Sequence, residues 1–193
     1  MEGEAHETLL LLEHPHTYTL GRRASESHLL ATPEEVQARD AILIESDRGG
    51  DITYHGPGQI VGYPLLDIRR RMRGDVHAYL RALEEVLIRV LGEYGLQGER
   101  EAEYTGVWCE GAKVAAIGVK ISRGVTMHGF ALNVHTDLSY FDLIVPCGIQ
   151  GREVTSLQPL LGRSVTVSEV TELVEHHFAA VFNSVMIGDT TLG

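Results

Sequence analysis

Three residues of this 193-residue chain have the types and settings for covalent chemistry: Cys147, Cys109 and Lys113. Cys147 lies in Ile144-Val145-Pro146-Cys147-Gly148-Ile149. Proline and glycine on either side break regular pairing there and leave the thiol on a constrained turn. A cysteine attacks as its thiolate, and an unperturbed thiol is only a few per cent ionised at neutral pH, so a base or a cation must stand beside it. On residue type alone, a small buried hydrophobe is the commoner state of a lone cysteine. Cys109, next to Trp108 and without such flanks, reads as structural. Lys113 opens Val114-Ala115-Ala116-Ile117-Gly118, whose small apolar side chains would wall in the amine and suit it to act as a base. A lysine at a strand start is otherwise usually solvated.

The ten histidines invite a metal, but His14-Pro15-His16 and His176-His177 lack the spacing of a three-ligand set, so no metal is expected. Gly56-Pro57-Gly58 fails as a dinucleotide loop, because the third glycine falls at Gly62 and a strand follows. A net charge of −11 argues against the phosphate-neutralising surface of a nucleic-acid binder. Arg69-Arg70-Arg71 with Arg73 is the densest basic stretch, readable as a solvated edge or as a local patch that steers an acidic partner. The N-terminus is acidic where a secretory signal needs basic residues, and no apolar run approaches the ~18 residues of a membrane span, so a cytoplasmic protein without membrane contact is expected. Two cysteines make no disulfide framework.

The elements that must position these residues follow from periodicity. One domain spanning 1–193, with flexible ends at 1–8 and 186–193, suits the length and a composition 44% hydrophobic and 22% charged. Short strands are expected near 8–13, 17–20, 41–45 and 59–66, and a brief helix follows the Thr32-Pro33 start. A glycine-rich loop runs from Arg48 to Gly58. Apolar residues at helical spacing from Val76 to Tyr94 predict the longest helix, stopped by Gly95. Segments 106–109, 113–122 and 125–134, joined at Glu110-Gly111 and Arg123-Gly124, predict an antiparallel meander. A last helix is expected after an N-cap at Ser168. The class is α/β of the α+β kind: a mainly antiparallel mixed sheet with packed helices.

Four motifs in this order carry a resemblance. Arg48-Gly49-Gly50 with Tyr54-His55-Gly56-Pro57-Gly58-Gln59, Lys113-Val114-Ala115-Ala116-Ile117-Gly118, His128-Gly129-Phe130-Ala131-Leu132-Asn133 and Pro146-Cys147-Gly148-Ile149 resemble the lipoyl(octanoyl) transferases of lipoate biosynthesis. The resemblance implies the biotin/lipoate ligase-like fold. It also implies transfer of an octanoyl group from octanoyl-acyl carrier protein to a lysine of lipoyl domains, those of the 2-oxoacid dehydrogenases and the glycine cleavage H protein. It makes Cys147 the acyl-thioester residue and Lys113 the partner that keeps it ionised. The acyl site implied is Arg48, Gly49, Gly50, Asp51, Ile52, Thr53, Tyr54 and His55, with Ala116, Ile117, Gly118, His128, Gly129, Phe130 and Ala131. No cofactor is implied. Glycines 49, 50, 118 and 129 would leave a slot for the chain, and His55 and His128 are equally readable as satisfied structural histidines. By the same reading the Arg69 to Arg73 patch would meet the acidic carrier. Two rivals stay open: an ATP-dependent lipoate or biotin-type ligase of the same fold, and a non-catalytic fatty-acyl binding module with an inert cysteine.

Overall fold

The computed structural model describes residues 7–145 and 153–188. Its elements in chain order are β1 (Thr8–Leu12), β2 (Thr17–Leu20), α1 (Pro33–Ala38), β3 (Ile42–Glu45), β4 (Ile52–His55), β5 (Gln59–Leu65), α2 (Ile68–Met72), α3 (Val76–Glu93), β6 (Gly106–Cys109), β7 (Ala112–Ser122), β8 (Val125–Asn133), α4 (Leu157–Leu161) and α5 (Val167–Val181). Single 3₁₀ segments lie at Glu26–His28 and Leu138–Leu143. Among the described residues no helix is long and apolar enough to cross a membrane.

The strands form a five-stranded antiparallel sheet, in the order β1-β5-β8-β7-β6, and a three-stranded sheet, β3-β2-β4. The meander closes as expected. Glu110 and Gly111 (φ 52° and 81°) and Arg123 and Gly124 (φ 53° and 87°) take the left-handed backbone of tight hairpins whose twist matches their strands. In the small sheet β2 pairs antiparallel with β4 but parallel with β3. A parallel pair needs a crossover, supplied by the 3₁₀ turn and α1.

Strand alternation decides which face carries the core. Ile60, Leu132 and Ala115 stand in one cross-strand row and Gly62, Phe130 and Ile117 in the next. That face packs on α3 and α5, where Leu83, Leu87, Val90 and Leu91 of α3 are fully buried. Each such side chain contributes roughly 1.5–3 kcal/mol on burial. Asp75 caps α3 by accepting from the Ala78 N–H. A second core lies against the small sheet, with Tyr18, Ile52 and Tyr54 packed against Val36 and Ile144.

Three expectations change. The last helix starts at Val167, because Thr166 and Glu169 form a reciprocal capping box; Ser168 is already inside the helix. Two short helices, α2 and α4, were not legible. Each has five residues, too few for a 3.6-residue period to show, and α4 contains Pro159. The arginine cluster is α2 and its end, and two of its four arginines are engaged inside the protein. Arg69 pairs with Asp67, and Arg71 pairs with Glu7 and donates to the Phe182 carbonyl at 2.8 Å. Asp67 bridges Val125 beside the β7–β8 turn, nine positions along β7 from Lys113, or roughly 30 Å at 3.3 Å per residue.

Candidate active site

The face of the large sheet opposite the helices is lined with small residues. Val61, Ala131 and Ala116 stand in one row, and Gly118 lies opposite Gly129 in the next. They floor a cavity of about 340 Å³, within the usual range for small-molecule sites. The loop from Ser46 to Asp51 and strand β4 form one wall; His14, His55 and Tyr63 contribute polar groups; Ile42 and Ile44 of β3, each about half exposed, form the outer side.

The loop is fixed by its own polar groups. Arg48, 8% exposed, donates through Nη2 to the Thr19 carbonyl at 2.6 Å and through Nη1 to the Gly49 carbonyl at 3.1 Å. The Gly49 N–H donates to the Val119 carbonyl of β7 at 2.9 Å, and Gly50 turns the chain at φ 92°. Asp51 accepts from the Ile52 N–H at 2.7 Å and pairs with His28 Nδ1 at 2.5 Å. The glycines answer a different need from the one expected. A Cβ on Gly118 would stand 2.8 Å from the Gly49 oxygen, and one on Gly129 only 2.1 Å from the Gly62 oxygen. These positions admit neighbouring backbone, and the cavity width follows from that.

Of the fifteen acyl-site residues expected, fourteen line this cavity. Tyr54 does not. Period-two alternation along β4 turns its ring into the second core, stacked on Tyr140 with its hydroxyl 2.6 Å from His16 Nδ1. Sequence reasoning missed, among others, His14, Thr19, Ile42, Ile44 and Tyr63, none of which falls in a quoted motif.

His55 is held neutral. Burial pushes it down to about 4, and Nδ1 lies 2.8 Å from Gln59 Oε1. Gln59 Nε2 already donates to the Tyr54 carbonyl and to Asn133 Oδ1, so Gln59 Oε1 must accept and His55 Nδ1 carries the proton. Nε2 of His55 is then the acceptor. Asn133 Nδ2 continues the chain to the Thr155 carbonyl at 3.0 Å. His128 sits on left-handed backbone (φ 61°) and reaches Asp47 Oδ1 at 2.7 Å. Asp47 also pairs with Lys120, and these two hydrogen bonds hold its carboxyl down at about 2.

Lys113 lines a second, smaller space of about 20 Å³ that shares Thr53, Ala116 and Ala131 with the main cavity. It is 8% exposed, and its ammonium lies 4.9 Å from the centre of the Trp108 ring, a cation–π arrangement. Its N–H donates to the Glu153 carbonyl and its carbonyl accepts from the Thr155 N–H, both at 2.9 Å. The chain that follows the Pro-Cys-Gly motif therefore docks on Lys113 itself. On the other side the Val145 N–H donates to the His28 carbonyl at 2.8 Å. Cys147 lies outside the described residues. Cys109 is 1% exposed, and burial pushes its thiol up, as fits a packing residue. Among the described residues no three His, Cys, Asp or Glu side chains converge as a metal site.

A slot of this size floored by small residues can hold an apolar chain, with the buried Lys113 in the wall of the neighbouring space. Comparison with known proteins gives the family. The model of the lipoyl protein ligase A/B catalytic domain matches residues 1–179. An octanoyltransferase of Chloroflexus aurantiacus is 54% identical over 183 residues, covering 93% of this chain and 82% of that protein. One from Solibacter usitatus is 50% identical over 191 residues, covering 99% and 86%. Among solved structures, lipoate-protein ligase A bound with ATP superposes with a TM-score of 0.77 at 16% identity, covering 96% of this chain and 76% of that one. The biotin protein ligase from Aquifex aeolicus in complex with biotin and ATP gives 0.57 at 15% identity, covering 86% and 70%. The last two show the shared fold. The chain belongs to the lipoyl protein ligase A/B catalytic-domain family and, within it, to the octanoyltransferases.

Proposed function

We propose that this chain is a single catalytic domain that moves an octanoyl group from octanoyl-acyl carrier protein to a lysine of lipoyl-domain proteins, by way of a thioester on Cys147. The observation that carries the reading is a pair of neighbouring cavities, a small-residue slot and a smaller space lined by Lys113, with Thr53, Ala116 and Ala131 in the walls of both. A solved relative in fold from Thermoplasma acidophilum, a bi-partite lipoate protein ligase described with its E2 lipoyl domain, supports the class of acceptor. The setting is cytoplasmic, where thiols stay reduced.

The cycle balances with these residues alone. Cys147 thiolate, stabilised by the Lys113 ammonium, attacks the donor carbonyl; the carbon–sulfur bond to the carrier breaks, and the leaving thiolate takes a proton from Lys113. Exchange of one thioester for another is close to thermoneutral. The neutral amine of the acceptor lysine then attacks the acyl-enzyme and gives its proton to Lys113, and Cys147 leaves as thiolate, restoring the starting pair. The slot binds the chain at ~0.8 kcal/mol per buried methylene, which is how it selects length. Arg48, already engaged with Thr19 and Gly49, holds the wall.

Intact-protein mass spectrometry after brief incubation with octanoyl-acyl carrier protein tests this, beside Cys147→Ala and a hydroxylamine wash that cleaves thioesters. A single labile octanoyl adduct, absent from the variant, is expected. An adduct formed only with octanoate and ATP would transfer the assignment to a ligase.

A further inference from the structure

The carrier named above is acidic and this chain carries −11, so the two repel unless a local basic surface lies beside the cavity. The Arg69 to Arg73 cluster is poorly placed for that role, because Arg69 and Arg71 are paired internally and the cluster sits at the other end of the sheet from Lys113. Arg22 and Arg23 meet the requirement. Both are exposed, and neither side chain has a hydrogen bond or ion pair among the described residues. Their backbone N–H groups donate to the Arg48 and Gly50 carbonyls, both at 3.0 Å, so the pair is fastened to the outside of the loop that walls the cavity. The acids of that loop do not neutralise them: Asp47 is held by Lys120 and His128, and Asp51 by His28 and the Ile52 N–H. Beside them runs β3, whose Ile42, Leu43 and Ile44 are 50%, 43% and 46% exposed on the edge of the small sheet. Its last residue, Glu45, lies against Leu20, two positions before Arg22.

We propose that Arg22 and Arg23, with the apolar edge of β3, are the docking surface for the acidic face of the donor carrier protein. The proposal rests on the acyl-transfer reading. Contacts of this kind, at the rim of a transient interface, set encounter rate and salt dependence more than chemistry.

The test compares two donors, octanoyl-acyl carrier protein and octanoyl-phosphopantetheine, in the wild type, in R22E/R23E and in R70E/R73E, at low and high ionic strength. R22E/R23E is expected to raise the KM for the carrier-borne donor about tenfold at low salt and to flatten its salt dependence. Its kcat, its KM for the free arm and the R70E/R73E control should stay at wild-type values. An unchanged carrier KM overturns the docking surface. So does an equal rise with the free arm, which would place the contact at the arm's phosphate, or an equal rise in the control, which would make it a matter of bulk charge. If the wild type accepts the octanoyl group from neither donor, the acyl-transfer reading fails instead.

Discussion

Replacing Gly118 by alanine gives two accounts of the cavity opposite signs. Gly118 has no left-handed backbone, so alanine is conformationally acceptable there. If the glycine served only to widen the slot, Gly118→Ala would stabilise the protein by about 0.4–1 kcal/mol through the unfolded chain. The structure says otherwise, because the new Cβ would meet the Gly49 oxygen at 2.8 Å, where ordinary contact begins at 3.4 Å. The loop must retreat by roughly 0.6 Å, stretching the 2.9 Å bond from the Gly49 N–H to the Val119 carbonyl beyond useful length. Losing that bond costs about 1 kcal/mol and the overpacking about 1–3 kcal/mol. After the unfolded-state gain of about 0.4–1 kcal/mol, the net loss is on the order of 1–3.5 kcal/mol, or about 2–14 °C in Tm. The same retreat uncovers one or two methylenes of a bound chain, worth about 0.8–1.6 kcal/mol, so kcat/KM for the octanoyl donor should fall about 4–15-fold. Thermal unfolding and steady-state kinetics read both. Gly92→Ala in α3, with nothing within 4 Å of the added carbon, is the control and should gain about 0.5–1 kcal/mol. A Tm for Gly118→Ala that rises as the control's does would refute the close-approach account.

Lys113→Met keeps an aliphatic stem on Trp108 while removing the charge. Acyl transfer should fall by about 10² or more and iodoacetamide labelling of Cys147 should slow, whereas near-wild-type rates would remove Lys113 from the chemistry. His55 contributes a pH dependence through its depressed value of about 4. Its stabilisation is complete above about pH 6.5, where folded and unfolded chains are both neutral. As pH falls the unfolded chain takes up the proton first, so up to about 3 kcal/mol is lost by pH ~4 and no more below it. Urea midpoints of wild type and His55→Gln should diverge across that window, and parallel curves would count against a neutral imidazole in the folded chain.

The parts of the fold legible in the sequence were those with long periods or explicit turn chemistry: α3, α5 and the hairpins closed by Glu110-Gly111 and Arg123-Gly124. The parallel pairing of β2 with β3 was not, because strand residues do not encode the direction of their partner. The cavity was legible where motifs concentrate small residues that face a strand, and illegible at Ile42, Ile44 and Tyr63, which reach it only through tertiary placement. Tyr54 shows the limit of carrying a contiguous motif across. Alternation along β4 sends His55 and Tyr54 to opposite sides, one to the slot and one to a stack of rings. The arginine cluster misled because sequence shows charge but not the carboxylates of Asp67 and Glu7 that engage Arg69 and Arg71.

The placement of Trp108 gives the protein a built-in optical reporter. It is the chain's sole tryptophan, 2% exposed, with the Lys113 ammonium over its ring. All indole emission therefore originates beside the amine, in a setting closed to external quenchers. A change in that amine's charge or position alters the field across the ring, so on the proposed acyl-transfer cycle loading and discharge should appear as emission changes in stopped-flow fluorescence, and emission that stays flat through turnover would count against a proton shuttled by Lys113.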